Sequence, residues 1–410
     1  MTVSASATVD AGRVRPKLGR DDWMMRAFMG VIALYLLATL AFPLYTMLSK
    51  SVEDGDGVFI GLANYTQYFS TPALFHSIYN SLFISLATTL ITTSLAFVFA
   101  YALTRSCMPF KGAFKVIAMV PILVPSLLPG IALIYLFGNQ GMLKGLLFGY
   151  SIYGPIGIII AEVFYTLPHA LLIIVTALSI ADARLYEAST VLRATTLRTF
   201  FTVTLPGARY GLISAGFVVF PLVSTDFGVP KVVGGQYNVL ALDIYKQVIG
   251  QQNFQMGAVV GVVLLIPAVA AFLVDRLVQR RQVALLSARS VPYMPSRSPV
   301  FDWAMMGYCA LISVFILGML AVCQFAALVK FWPYNLTLGL SNYAFDLMDG
   351  GGWDSYFNSI RMALYTAAFG TGVVFLGAYM VEKSRGFQTG RGVFQFFAMM
   401  PMAVPGMVLG

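Results

Sequence analysis

Charge is scarce in this chain of 410 residues. Asp, Glu, Lys and Arg together make up 10% of it, where a soluble domain carries about 25%. Histidine occurs twice and cysteine three times, with Cys107 apart from Cys309 and Cys323 and no pair at metal-ligand spacing. That excludes a disulfide framework and a zinc-type site. Short catalytic motifs are missing too: there is no GxxxxGK[ST] loop to cradle nucleotide phosphates, no HExxH, and no nucleophile with a base at recognisable spacing. Asp226-Phe227-Gly228 echoes a magnesium-binding triplet of kinases, but no kinase catalytic loop accompanies it. The expectation is a protein with no catalytic residues, no metal and no cofactor. The first 20 residues lack an apolar core and a small-residue cleavage site, so no removable leader is expected.

What the chain has in excess is apolar length. Hydrophobic residues are 59% of it and the mean hydropathy is +0.80, the composition of an integral membrane protein. Apolar runs of about 20 residues lie near 27–48, 77–103, 114–137, 152–178, 210–230, 254–275, 303–326 and 356–381, and a ninth begins near Val393. Each is predicted to be a helix, because unpaired backbone groups are too costly in hydrocarbon. Pro121, Pro125 and Pro129 recur on one face of the third run and predict a kink or hinge there.

The few charges that remain are sorted by side. With the N-terminus taken as cytoplasmic, 20 of the 26 Lys and Arg fall on that side, among them Arg13, Arg20, Arg105, Arg184, Arg198, Arg281 and Lys383. Lys50, Lys144, Lys231, Lys246 and Lys330 fall on the other, and Arg361 lies within a run. The positive-inside rule therefore predicts a cytoplasmic N-terminus. The net charge of +9 follows from this topology and from anionic lipid, and gives no reason to expect nucleic-acid binding.

The chain also repeats itself. Gly61-Leu62-x-Asn64-Tyr65 recurs as Gly339-Leu340-x-Asn342-Tyr343, Asn80-Ser81 as Asn358-Ser359 and Ala100-Tyr101 as Ala378-Tyr379, all at one offset. Slightly shifted, Pro121, Pro125 and Gly130 recur as Pro401, Pro405 and Gly410. Two units in tandem are expected, joined by a basic, Ser- and Pro-containing linker.

Between the fourth and fifth runs lies a charged island. Ser179 followed by Asp182 reads as a capping box, which starts a helix near Ala181. Leu185, Ala188, Leu192 and Thr195, with Val191 beside them, fall at helical spacing and make a weakly apolar face that a partner could accept. Glu187 is one turn from Arg184 and can pair with it or with a partner's donor. The alternative is a helix on the lipid surface, with Leu197, Phe200 and Phe201 dipped into the interface.

From Glu187 to Pro206, the order EASTVLRATTLRTFFTVTLP resembles the EAA signature of permease subunits in binding-protein-dependent ABC importers. That pattern opens Glu-Ala-Ala, places Gly seventh, and ends with an aliphatic residue, any residue and Leu-Pro. Glu187, Ala188, Phe200, Val203, Leu205 and Pro206 fit it, and Ser189 is a small-for-small change. Arg193 stands where the glycine would be. A left-handed backbone costs Arg roughly 1–2 kcal/mol, so a right-handed backbone or a differently shaped turn is expected there.

The resemblance implies a short cytoplasmic helix that docks in a groove of an ATPase. Its coupling residues would be Glu187, Ala188, Ser189, Leu192, Arg193, Ala194, Phe200, Leu205 and Pro206. It implies an all-α polytopic membrane protein built of tandem ABC-importer permease (MetI-like) units, with about six transmembrane helices in the first. The expected divisions are a cytoplasmic segment 1–26, a first unit 27–281, a linker 282–301 and a second unit 302–410. The second unit stops at its third span, before a second coupling segment, so a longer natural chain is expected. The implied partners are cytoplasmic ABC ATPase subunits, two copies, a periplasmic solute-binding protein and the lipid of a bacterial inner membrane.

Fused two-unit permeases of this kind are typical of the ferric-iron type, with relatives for thiamine, polyamines and phosphonates. Thr225 to Pro230 and Val239 to Gln247 look most like the 2-aminoethylphosphonate permeases, as do Arg193 and Tyr210-Gly211. Candidate path residues are Glu162, Asp226, Asn80 and Asn358. A mid-membrane carboxylate costs about 2.5–3.5 kcal/mol on insertion scales, so Glu162 should face protein or water, either lining a path or paired with a hydroxyl such as that of Tyr165. Asp226 sits at the outer end of its span, as a helix-end residue, a gate or an attractor of an amino group. Asn80 and Asn358 could bond across helices and hold two halves in register. A second function class, an ion-coupled secondary transporter using Glu162 or Asp226, lacks an EAA island.

Overall fold

The structure is a computed structural model and describes residues 19–285, 291, 293–347, 351–383 and 388–399. Arg13, Arg289, Arg385, Pro401, Pro405, Gly410 and the continuation of the ninth run lie outside the described residues. In chain order the helices are α1 (Arg20–Ser51), α2 (Ala63–Ser70), α3 (Pro72–Arg105), α4 (Lys111–Leu123), α5 (Leu127–Phe137), α6 (Pro155–Ser179), α7 (Ala183–Val191), α8 (Thr196–Ser224), α9 (Gly228–Val233), α10 (Leu240–Tyr245), α11 (Phe254–Leu285), α12 (Pro299–Leu328), α13 (Gly352–Lys383) and α14 (Gln388–Met399). A small antiparallel hairpin, β1 (Val329–Phe331) with β2 (Asn335–Leu338), follows α12.

Among the described residues, seven helices are long and apolar enough to cross a membrane, and an eighth span results if α4 and α5 count as one bent pair. The first eight predicted runs coincide in order with these seven helices and the bent pair, while the ninth passes beyond the described residues. Two differences have physical causes. The third run is broken, with α4 and α5 meeting at 103°: Pro121 and Pro125 withhold backbone N–H groups, and Val124 takes an extended conformation between them. The fifth helix starts at Thr196, before the predicted apolar run, because the polar island continues into it through a π-helical turn at Phe200–Thr204. The hairpin escaped prediction, since its strands are only three and four residues long.

The chain divides into two compact units, Leu44–Phe345 and a second made of residues up to Pro43 with 346–401. In the larger unit, α6 is the central helix, packed against α3, α8 and α5. Close approach is bought with small residues: a Cβ added at Gly211 on α8 would sit 2.3 Å from Ala177 Cβ on α6. Thr92 on α3 and Thr166 on α6 bond at 3.2 Å across that interface. Helix α12 joins through Tyr308, whose hydroxyl donates to Leu95 O at 2.8 Å. In the smaller unit, Met29, Met380 and Phe394 form a buried cluster.

Both long helix ends that precede the repeated Gly-Leu-x-Asn-Tyr are closed in the same way. The Asn64 carboxamide donates to Ser51 O at 3.2 Å and Glu53 O at 2.8 Å. That of Asn342 donates to Ala327 O at 3.2 Å and Val329 O at 2.7 Å. Terminal helix carbonyls have no intrahelical donor, and in each copy one asparagine supplies it.

Candidate coupling segment and buried carboxyls

The island folds as a helix–turn–helix. Asp182 takes an extended backbone and its carboxylate accepts from the Arg184 N–H at 3.1 Å, which caps α7. The predicted capping box at Ser179 does not form. Ser179 instead donates to Val175 O at 2.7 Å as the last residue of α6, and α7 begins two residues after Ala181. The N–H of Ala183 is taken by the carbonyl of Val291 at 2.9 Å.

At the far end of α7, Arg193 has a φ of +53°, against the expectation of a right-handed backbone. The reason is the hydrogen-bond pattern. Ala194 N–H reaches Ser189 O at 3.0 Å and Arg193 N–H reaches Thr190 O at 2.9 Å, the paired bonds of a Schellman cap, whose penultimate position is left-handed. The glycine turn of the EAA pattern is therefore kept, with arginine occupying it. Thr195 then caps α8, accepting from Arg198 N–H at 3.3 Å.

One side of α7 is fixed. Ala183, Tyr186 and Ser189 are buried, and the Ser189 and Thr199 hydroxyls bond across the turn. Tyr186 donates to Thr204 Oγ1 at 3.1 Å and accepts from Arg105 at 3.3 Å. Arg105, buried at the end of α3, also donates to Leu178 O at 2.8 Å and lies over the rings of Tyr186 and Tyr293 at 5.1 and 4.7 Å. The other side is free: Leu185, Glu187, Ala188, Val191 and Leu192 are exposed, Val191 and Leu192 by 82% and 79%. Among the described residues the one ion pair is Lys50–Glu53, so Glu187 and Arg184 do not pair. Phe200 is half-buried against Tyr101 and Phe97, with ring centroids at 5.8 and 6.0 Å. Leu205 is half-buried and Pro206 exposed at the start of the long run of α8.

The proposed path residues separate into two sets. Asn80 donates to Asn238 O at 2.9 Å within the larger unit, while Asn358 is exposed on α13. Glu162 and Asp226 come together. Glu162 is fully buried in the middle of α6, and no hydroxyl donates to it, Tyr165 included. The polar group within hydrogen-bonding range of its carboxyl is that of Asp226, which accepts from Val229 N–H at 2.8 Å at the start of α9. Arg105, Tyr186 and Tyr293 went unrecognised in the sequence. The buried Tyr, one residue before the conspicuous Glu187, was the available signal.

Residues 93–283 match the family described as binding-protein-dependent transport system inner membrane component. That stretch, 191 of the 410 residues, is similar to this permease family. A Haemophilus influenzae protein named for a ferric transport system permease is 28% identical over 312 residues, which is 72% of this chain and 49% of that protein. The PhnU protein of Salmonella typhi, named for 2-aminoethylphosphonate transport, is 25% identical over 161 residues, 37% of this chain and 56% of its own. A bacterial alginate ABC transporter, solved in complex with an alginate-bound periplasmic protein, shares the fold: TM-score 0.54 at 14% identity, covering 64% of this chain and 96% of the matched one. This chain spans about half the length of the curated relatives it matches.

Proposed function

We propose that this chain is the membrane permease of an ATP-driven ABC importer, with α7 as the helix that docks on a cytoplasmic ATPase. The observation that carries the reading is the division of α7 into two sides. Its inner side is bonded to α3 and α8, and through Arg105 to Leu178 O on α6, and its outer side exposes Leu185, Ala188, Val191 and Leu192 around Glu187. A push on that outer side is transmitted to three spans through Tyr186, Arg105 and Thr204. The chain then has a cytoplasmic N-terminus, takes solute from a periplasmic binding protein and relies on two ATPase subunits for energy. The matching asparagine clasps at Asn64 and Asn342 support two tandem permease units, with divisions at 27–281 and 302–410 around the linker.

The solute is small and delivered by the binding protein. Thr225 to Pro230 and Val239 to Gln247 favour 2-aminoethylphosphonate. Ferric iron is the second reading, favoured by the longer match to the ferric-named relative. Loss of growth on 2-aminoethylphosphonate as sole phosphorus source, in a strain without the gene, supports the first; loss only on limiting ferric iron supports the second. Coupling itself is tested by Glu187→Ala, which should reduce co-purification with the ATPase and uptake while membrane insertion is unchanged. Unchanged assembly and uptake would overturn it and return the ion-coupled class, with Glu162 or Asp226 as the charge carrier.

A further inference from the structure

Glu162 and Asp226 present an electrostatic problem that the surrounding residues leave unsolved. The Glu162 side chain is 0% exposed, and neither of its oxygens receives an N–H or O–H donor. What faces it is a second carboxyl, that of Asp226. Two ionised carboxylates in contact inside a membrane protein repel each other and lack the donors that charge burial requires.

Counter-charge is not at hand. Helix α5 carries no ionisable group except Tyr135, and α9 carries Lys231, whose ammonium lies over the Tyr245 ring at 4.4 Å. Helix α3 has His76 and Arg105 towards its two ends, with Arg105 occupied by Tyr186 and Leu178. Helix α8 has Arg198, Arg209 and Tyr210 in its first half, and α12 has Asp302 in its first turn, bonded to Cys107 N–H at 2.7 Å. On α6 itself the titratable neighbours are Tyr165 and, one turn on, His169, whose rings are 5.8 Å apart. Among the described residues none of these cations pairs with either carboxyl.

The neighbours of Asp226 are arranged for an anion. It accepts from Val229 N–H, and the Ser126 hydroxyl, at the break between α4 and α5, is within hydrogen-bonding range. A Cβ on Gly228 would fall 2.4 Å from Ser126 Oγ, so a glycine is required for this approach. Asp226 thus has donors and Glu162 has none.

We propose that Glu162 and Asp226 form a buried site for a single proton, carried on Glu162 and donated to the Asp226 carboxylate. The proton ties the middle of α6 to the outer end of α8 and to the break in the bent span. Losing it sets two like charges against each other at that junction, so the site is a clasp that opens on deprotonation. This inference is independent of the importer reading, because its observables need neither ATPase nor solute.

The test is infrared spectroscopy of the purified full chain in lipid nanodiscs at neutral pH, with the same sample in sodium and in choline buffer. The carbonyl stretch of one buried protonated carboxyl is expected, equal in both buffers and lost in Glu162→Gln. The Glu162→Gln chain should fold and melt at the temperature of the unaltered protein, since its amide donates to Asp226 as the acid does. Asp226→Asn should keep the band, because Glu162 stays protonated and donates to the amide oxygen. A band that survives Glu162→Gln, a sodium-dependent rise in melting temperature without any band, or a Glu162→Gln chain that fails to fold would each overturn the proposal; the second would make the site one for a metal cation.

Discussion

The hydroxyl of Tyr186 accepts from Nε and Nη2 of Arg105, both at 3.3 Å, and donates to Thr204 Oγ1 at 3.1 Å. A single phenol thus joins α7 to the end of α3 and to the π-helical turn of α8. Arg105 is buried without a carboxylate, and its charge is met by the Leu178 carbonyl, this hydroxyl and two aromatic faces. Such a cation tolerates the loss of a partner poorly, because the remaining groups cannot replace the lost solvation.

Tyr186→Phe keeps the ring over Arg105 and removes only the hydroxyl. The expected loss is about 1.5–3 kcal/mol, the range for hydrogen bonds to a charged group, read as a fall in the melting temperature of the purified chain. Membrane insertion should be unaffected, since the apolar lengths of α3 and α8 are unchanged. A Tyr186→Phe chain that melts with the unaltered protein would show that Arg105 is satisfied elsewhere.

On the outer side of the same helix, Leu192→Asp should leave stability within about 0.5 kcal/mol, as expected of an exposed position without partners. Association with the ATPase should fall sharply, because a carboxylate would be carried into an apolar contact. Paired measurements of melting temperature and co-purification separate the two effects. A drop in melting temperature with binding intact would assign Leu192 to the folding of the chain.

Apolar length made the spans legible. Lipid removes all alternatives to the helix, so length and apolar content suffice, and even the break in the third run followed from Pro121 and Pro125. The island was legible as a helix whose apolar face, Leu185 to Leu192, is the exposed one. What stayed hidden were contacts between residues distant in sequence. Glu162 and Asp226 were each suspect as charges in apolar surroundings, yet nothing in their spacing pairs them. The left-handed Arg193 was misjudged because propensity argued against it, while the Schellman bonds of Ala194 and Arg193, set by the turn into Thr195, decided it.

The asparagine clasps give a direct comparison between the two copies of the repeat. Asn64→Ala leaves Ser51 O and Glu53 O without their side-chain donor and should cost about 1–3 kcal/mol. Asn342→Ala should act in the same direction but less, because Asn342 is only half-buried where Asn64 is buried and water can replace it. Melting temperatures of the two variants, compared in one lipid, check both sign and order. A larger loss at Asn342 would mean that the hairpin depends on its clasp more than the loop after α1 does.

Asp243 predicts a pH effect in the segment between α8 and α11. Its side chain is nearly inaccessible and Oδ2 has no partner. Burial pushes its carboxyl above the usual carboxylate range, only partly offset by a hydrogen bond from Ser77 and by Lys246. A group raised in the folded state contributes stability below its unfolded pKa and loses it as pH rises through the folded value. Asp243→Asn should therefore melt higher than the unaltered chain at neutral pH, with the advantage shrinking on acidification. An advantage that grows at low pH would mean that the carboxylate is stabilised by Lys246 more than burial penalises it.

Arg193 offers the cleanest test of the turn, because two substitutions should move stability in opposite directions. In the left-handed position glycine relieves a steric cost of roughly 1–2 kcal/mol and returns part of it as unfolded-state entropy, so Arg193→Gly should stabilise by about 0.5–1 kcal/mol. Arg193→Val puts a β-branched side chain in the same backbone region, an outlier for that residue type, and should destabilise. If both variants keep the Schellman bonds, Arg193→Gly should also leave ATPase association intact, since the EAA pattern carries glycine there. Loss of association in Arg193→Gly, with a stabilised chain, would instead assign the guanidinium itself to the docking surface.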